Sequence, residues 1–408
     1  MYPSREDPAV PRATSSKGKG MLVRRCRVLY LEPREEIGFD LAGLLQGGDG
    51  LCSEVRWIAL APHLAREIEV DAGERELLGS LGAERWVDAA TLGAAAARPL
   101  SRLLREGLVL ATGRRHAAHR ERDEALREVH WHPLAATLHA FTRWEGADAV
   151  QSMEDTGTAT AQGLREVLGA PPPEVVARTA DARLLALPRG AGNAFDGLLG
   201  RRATCRNFDA SRPLPFARFA QLLERVFAAQ AQVTVTEDTA FLKKTSPSGG
   251  GLHPVETYLL VQHVEGLAPG LYHYRPVAHA LEPLPAPDIA LAELASQAVA
   301  RQHWFADAHA MAILAPRWNR HYWKYRRHAK GYRAVALEAG HLSQTLYLAA
   351  TEAGLAAYIT AAINEIPLER ALGLDPVREG VLAICGFGWR GDIMETMELD
   401  PLGTIWAP

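Results

Sequence analysis

Cysteine is scarce in this chain: Cys26, Cys52, Cys205 and Cys385 lie scattered through 408 residues. No Cys-x-x-Cys pair or His-rich companion accompanies them. This argues against a disulfide-stapled scaffold or a zinc site and points to reduced thiols in a cytoplasm. An excess of charge of one sign is missing too. The formal net charge of −3 offers nucleic acid or an anionic membrane no global handle, so any charged partner must be met locally. No apolar run approaches the length of a membrane span and no secretory signal is visible, so no membrane partner is expected. What is plentiful is apolar content, 48% of the chain, enough for the cores of two or three domains.

Residues 1–20 mix Pro, Ser, Lys and Gly without hydrophobic periodicity and are expected to form a disordered tail. Strand character begins with Leu22-Val23 and Val28 to Leu31. From Asp71 to Thr112 the order is helix, helix, helix, ribbon. Glu74–Leu81 has helical apolar spacing, Asp88 can cap a turn over Ala89–Leu92, Pro99–Glu106 is closed by Gly107, and Leu108–Thr112 alternates into a strand. That succession predicts a winged-helix-containing domain over 21–170. Arg98, Arg102, Arg105, Arg114 and Arg115 would suit DNA, but Glu74, Glu76, Glu84, Asp88 and Glu106 dilute them. Peptide docking therefore ranks ahead of nucleic-acid binding, with a purely structural domain close behind. The histidines at 116, 119, 130, 132 and 139 lack metal-ligand spacing and are read as part of helices packed by Trp131 and Trp144, so no metal site is expected. From Gln151 to Gly192 the chain turns to Thr, Ala, Gly and Pro, with one helix over Ala161–Leu168 and a domain change near Pro171. A second domain spans 171–408.

Three stretches of that domain carry chemistry. Ser246-Pro-Ser-Gly-Gly-Gly-Leu-His-Pro254 sets a glycine-rich loop against Tyr258-Leu-Leu-Val261, an apolar strand, so main-chain N–H groups can approach a ligand from a rigid mount. Upstream, Arg201-Arg-Ala-Thr-Cys-Arg-Asn-Phe-Asp209 gathers guanidinium forks and a hydroxyl, a set suited to a phosphate monoester. Downstream, Lys324-Tyr325 precedes a long helical pattern from Tyr332 to Ala350 rich in Ala and Leu. Together these stretches resemble the nitroreductase-like flavoproteins, and among them the SagB-type peptide maturation dehydrogenases, which oxidise azoline rings in ribosomally made peptides. The resemblance covers roughly the second half of the chain.

It implies an α+β domain with a central, mostly antiparallel sheet flanked by helices, and a homodimer with FMN at the subunit boundary. It also implies a cytoplasmic enzyme acting on a precursor peptide, the first domain retaining the leader or a partner cyclodehydratase. Arg202, Thr204 and Arg206 fall where the family holds the FMN phosphate. Ala203 replaces the second Arg of the family's Arg-Arg-Ser-x-Arg-x-Phe pattern and Thr204 its Ser, which weakens one donor. Pro247, Ser248, Gly249 and Gly251 would line the flavin, and the Ala361 N–H would meet its N5 from a strand over Gly354–Ala362. Arg390, the last basic residue, would close over the phosphate. Lys324 and Tyr325 would be catalytic, Tyr325 taking the ring proton with Lys324 as electrostatic partner, or the reverse. The same Tyr322–Arg327 stretch also reads as an aromatic and basic surface for an acidic peptide. Two alternatives stay open. One is an NAD(P)H-dependent nitro, quinone or dehydroamino-acid reductase; the other is a non-catalytic winged-helix docking or regulatory protein.

Overall fold

The computed structural model describes residues 20–179 and 183–406; apart from Gly20, the expected N-terminal tail lies outside the described residues. The chain divides into two compact units, Met1–Arg127 and Glu128–Pro408, whereas composition puts the change of domain near Pro171.

The first unit contains β1 (Leu22–Arg25), β2 (Tyr30–Phe39), α1 (Leu41–Leu45), β3 (Leu51–Leu60), β4 (Glu67–Glu69), α2 (Ala72–Ser80), β5 (Val87–Asp88), α3 (Ala97–Glu106), β6 (Val109–Ala111) and α4 (Ala117–Glu128), the last running to its edge. The helical starts and stops follow from capping. Asp71 and Glu74 form a reciprocal capping box on α2, Asp88 caps the short turn after β5, and Gly107 ends α3 in the left-handed region. The expected strand after α3 forms as β6. It pairs with β1, which precedes the helices, in a sheet of order β5-β1-β6. A long ribbon absent from the sequence reading occupies much of the unit: β2 pairs antiparallel with β3 from Tyr30↔Leu60 to Phe39↔Leu51.

The second unit opens with α5 (Pro133–Phe141), α6 (Ala149–Asp155), α7 (Ala161–Leu168), α8 (Ala194–Arg201) and α9 (Phe216–Phe227). The hairpin β7 (Ala231–Thr236) and β8 (Thr239–Lys243) follows, then β9 (Val255–Val261), β10 (Gly270–Arg275), β11 (Ala280–Pro283), α10 (Leu291–Ala298), α11 (His303–Ala306) and β12 (Ala310–Pro316). The chain ends with α12 (Trp318–Lys324), α13 (Gly331–Glu352), β13 (Ala356–Ala357), α14 (Glu365–Leu372) and β14 (Ala383–Gly388). Its sheet has the order β11-β10-β9-β12-β14-β13, with every pair antiparallel. The central strands β12 and β14 are buried along their whole length, as strands covered by helices on both faces must be. On one face Leu260, Met311, Ile313 and Ile384 join Leu294 of α10, Phe305 of α11 and Leu368 of α14 in a single apolar cluster. On the other, α9 and α13 cover the sheet, with Phe219 stacked on Phe387 at 6.0 Å. Burial of this kind stabilises by roughly 25 cal/mol for each Å² of apolar surface removed from water.

The strand expected over Gly354–Ala362 shrinks to β13. Beyond it the chain bends, the Ala362 N–H donating to the Thr360 hydroxyl at 3.2 Å, and only an isolated bridge between Thr360 and Ile384 continues the pairing. The segment before α5 is tied into the second unit by Trp131, whose Nε1–H donates to the Val377 carbonyl at 2.8 Å. Its ring sits 4.7 Å from Trp318 and 4.9 Å from Tyr322 of α12. His139 joins that box, while Trp144 is 43% exposed, so only one of the two tryptophans plays the expected packing part.

Candidate functional site

Helix α13 is the spine of the site. Its central residues fall at helical spacing on one face, and they pin the glycine-rich loop in reverse order, the loop ascending as the helix descends. Thr345 shares a hydroxyl–hydroxyl bond of 2.8 Å with Ser246, His341 Nδ1 lies 3.3 Å from the Pro247 carbonyl, and the Glu338 carboxylate accepts from the Ser248 hydroxyl. Ser248 Oγ also accepts the His253 N–H at 2.9 Å, which closes the loop on itself. Glu338 is buried, and desolvation raises its pKa, against the lowering effect of the Ser248 hydrogen bond. Lys244, at the end of β8, is also buried and its pKa is lowered, chiefly by desolvation, with Glu256 and Glu338 opposing that shift. Neither residue was given a chemical role from the sequence. An acidic residue on the apolar face of a helix, between Val335 and Leu342, was the signal for Glu338; for Lys244 there was none.

The loop itself turns through Gly249–Gly251 with Gly250 at φ 65°, left-handed and open only to glycine at low strain. Space matters there as well as angle. A β-carbon on Gly250 would lie 2.5 Å from Lys324 Nζ and 2.8 Å from Tyr325 Oη. Both members of the Lys-Tyr pair thus converge on one glycine, and Lys324 Nζ is 3.4 Å from the Gly250 carbonyl. Lys324 is exposed and Tyr325 half-buried, its ring 5.0 Å from that of the buried His321. The N–H groups of Gly249, Gly250 and Ala361 meet no acceptor among the described residues.

Two residues beyond the pinning stripe, Tyr347 gathers the remaining parts. Its hydroxyl bonds Thr204 Oγ1 at 2.9 Å and accepts the Ile359 N–H at 3.1 Å, while the Arg202 guanidinium lies over its ring at 5.3 Å. No carboxylate among the described residues pairs with Arg202, and the Arg206 guanidinium donates to a carbonyl, that of Met397, at 3.2 Å. Two guanidiniums without carboxylate partners among the described residues and a hydroxyl between them in sequence are donors of the kind that a phosphate monoester takes. Arg390 stands differently. It bridges to Phe208, as proximity to the motif requires, but its guanidinium is ion-paired with the buried Glu398. That carboxylate also accepts the Arg206 N–H at 2.5 Å and the Trp406 indole N–H at 3.1 Å, so the C-terminal segment brings its own anion to the place where Arg390 was expected to meet a phosphate. Among the described residues there is no cluster that would hold a metal ion, and no helix is long and apolar enough to cross a membrane.

The family model described as "Nitroreductase family" matches residues 199–389. "Putative nitroreductase MJ1384" of Methanocaldococcus jannaschii is 33% identical over 161 residues, 40% of this chain and 75% of that protein. Trifolitoxin-processing protein TfxB of Rhizobium leguminosarum bv. trifolii is 32% identical over 149 residues, and the match spans 35% of this chain but only 38% of TfxB. Microcin B17-processing protein McbC of Escherichia coli is 26% identical over 192 residues, 45% of this chain and 65% of McbC.

Proposed function

The chain belongs to the nitroreductase family, and from that premise we propose that it is an FMN-dependent dehydrogenase that oxidises thiazoline or oxazoline rings of a ribosomally made precursor peptide to azoles. The observation that carries this reading is the convergence of Lys324 and Tyr325 on Gly250, with Nζ 3.4 Å from the glycine carbonyl at the edge of a loop built for close backbone approach. Two relatives whose names place them in the processing of trifolitoxin and microcin B17 support a peptide substrate.

The residues fit FMN. Arg202, Thr204 and Arg206 would hold its phosphate, and Pro247, Ser248, Gly249, Gly251 and the Ala361 N–H would face its ring system. When bound, FMN supplies a two-electron acceptor for hydride, and molecular oxygen restores its oxidised form. The chain's own part is the proton. Aromatising an azoline removes one hydride and one proton from adjacent ring atoms. In this reading the Lys324 ammonium, on the same glycine, holds Tyr325 as the phenolate, and its Oη takes the ring proton and ends as the neutral phenol. The first unit, for which the sequence predicts a winged helix, would retain the leader peptide or a cyclodehydratase by strand addition to an open sheet edge. A homodimer across α13 and a cytoplasmic setting complete the proposal.

The test is direct. Protein loaded with FMN and given a thiazoline-containing peptide in air should return a product lighter by two hydrogens, with hydrogen peroxide formed in equal amount. An unchanged peptide mass together with rapid bleaching of the flavin by NADPH alone would overturn the proposal. It would favour a nitro or quinone reductase, the second reading, which the name of the M. jannaschii relative supports.

A further inference from the structure

Beside the Lys-Tyr pair lies a cavity of about 350 Å³ that the proposed chemistry leaves unused. The β7–β8 hairpin forms one wall, with Asp238 and Ala240. Helix α12 and the residue before it form the other, with Arg317, Asn319, Arg320 and Trp323. The charges are unevenly matched. Arg317 is paired from behind by Glu256, Nε to Oε1 at 2.6 Å. Asp238, at the hairpin turn, accepts from the hydroxyls of Thr236 at 2.8 Å and Thr239 at 3.1 Å, and forms no ion pair among the described residues. Arg320 has only carbonyls, donating from Nε to Leu252 at 2.6 Å and from NH2 to Ala240 at 3.2 Å. Burial, and after it the like charge of Arg317, presses against its ionisation. A half-buried guanidinium held in place by carbonyls, with no ion pair of its own among the described residues and only Glu256, already paired with Arg317, to offset its charge, has its geometry fixed and favours a carboxylate from outside. Asn319 adds an amide donor on the exposed side of α12. Trp323, 49% exposed and adjacent to Lys324, gives the mouth an apolar surface on which peptide backbone can lie.

Resting on the dehydrogenase reading above, we propose that this cavity is a substrate subsite that takes a carboxylate of the peptide, an acidic side chain or a free C-terminus, and so selects peptides with negative charge close to the ring being oxidised. Its volume suits a single side chain rather than a dinucleotide. Helix α12 carries the cavity wall and ends at Lys324, with Tyr325 the next residue, so the anchored carboxylate and the reacting ring would be separated by only a few residues of peptide.

The test is equilibrium binding to the FMN-loaded protein, followed by anisotropy of dye-labelled pentapeptides Gly-Ser-Glu-Ser-Gly and Gly-Ser-Gln-Ser-Gly, each with a free or an amidated C-terminus. The wild type should prefer a carboxylate at least tenfold over its neutral counterpart, and the pair that shows the preference, Glu against Gln or acid against amide, identifies the source. Asn319→Asp places a carboxylate at the exposed wall without changing its shape and should reduce the preference to less than threefold. Arg320→Met should do the same. Because that change also removes two carbonyl contacts, Asn319→Asp is the deciding variant. Equal binding of all peptides, or a preference that survives Asn319→Asp, would overturn the subsite. So would displacement of the peptide by NADPH, or loss of flavin from Asn319→Asp, which would assign the cavity to a dinucleotide or to FMN. The two proposals fail separately: a carboxylate preference without ring oxidation removes the reaction and keeps the subsite, whereas oxidation without the preference does the opposite.

Discussion

Tyr325 and Lys324 reach the same glycine from successive positions, so each can be changed without moving the loop. Tyr325→Phe is expected to slow ring oxidation by roughly 10²–10⁴-fold, the usual range for a positioned acid or base, with the flavin spectrum and FMN affinity unchanged; single-turnover kinetics beside a fluorescence titration would check both. His139 governs a different property. It is buried in the tryptophan box, its Nε2 is 3.1 Å from the Pro376 carbonyl, and burial, then the Arg143 charge, lowers its pKa from 6.5 to about 3. The unfolded chain therefore binds a proton between those values that the folded chain refuses. Stability is full above pH 6.5 and falls as the pH drops toward 3, by up to about 1.4 kcal/mol per pH unit from this group. Glu369 works in the opposite sense: burial raises its pKa to about 7, so its protonation favours the fold as the pH falls from 7. His139→Gln should remove the acid-side slope that belongs to His139 and leave that of Glu369, as a comparison of denaturant midpoints between pH 7 and 4.5 would show. At this scale the sequence disclosed stretches that the fold brings together, such as Lys324-Tyr325 and the Pro247–Gly251 run. It concealed Lys244 and Glu398, because their partners lie far away in sequence, whereas Glu338 was marked by its place on the apolar face of a helix.

The glycine-rich loop behaves as an element in its own right, pinned to α13 through Ser246, Pro247 and Ser248. Gly250→Ala should divide stability from activity. The left-handed backbone costs a non-glycine residue about 1 kcal/mol. The new methyl, however, meets the ends of Lys324 and Tyr325, which can move aside easily but then no longer converge. A small drop in melting temperature with roughly a hundredfold loss of turnover is expected, since displacements of about an ångström have effects of that size. Helices were the legible elements: α7 spans Ala161–Leu168 as the periodicity predicts, and α13 extends the Tyr332–Ala350 pattern by only a few residues. The hairpins were not. β2 contains Pro33 and Gly38 and is mostly exposed, so it lacks the inside-outside alternation that marks a half-buried strand. β7 is exposed throughout and joins β8 through Glu237-Asp238, a turn without the glycine that usually announces one.

For the molecule as a whole, the proposed homodimer makes a specific demand on α13. Its buried side faces the sheet, yet Ala336, Leu337 and Gly340 stay exposed, Leu337 at 64%, as a partner subunit would require. Leu337→Asp should give a monomer by sedimentation velocity and, because FMN would sit at that boundary, a colourless one; a yellow monomer would separate flavin binding from assembly. Composition placed the change of domain near Pro171, but the compact unit begins at Glu128, because a tryptophan's packing partners lie beyond the reach of local composition. The same tryptophan has an optical consequence. With Trp131 and Trp318 centred 4.7 Å apart at an interplanar angle of 47°, the paired indoles form a chiral chromophore at the root of α12. Its exciton signal in circular dichroism would serve as an unlabelled gauge of whether the helix bearing Lys324 is seated.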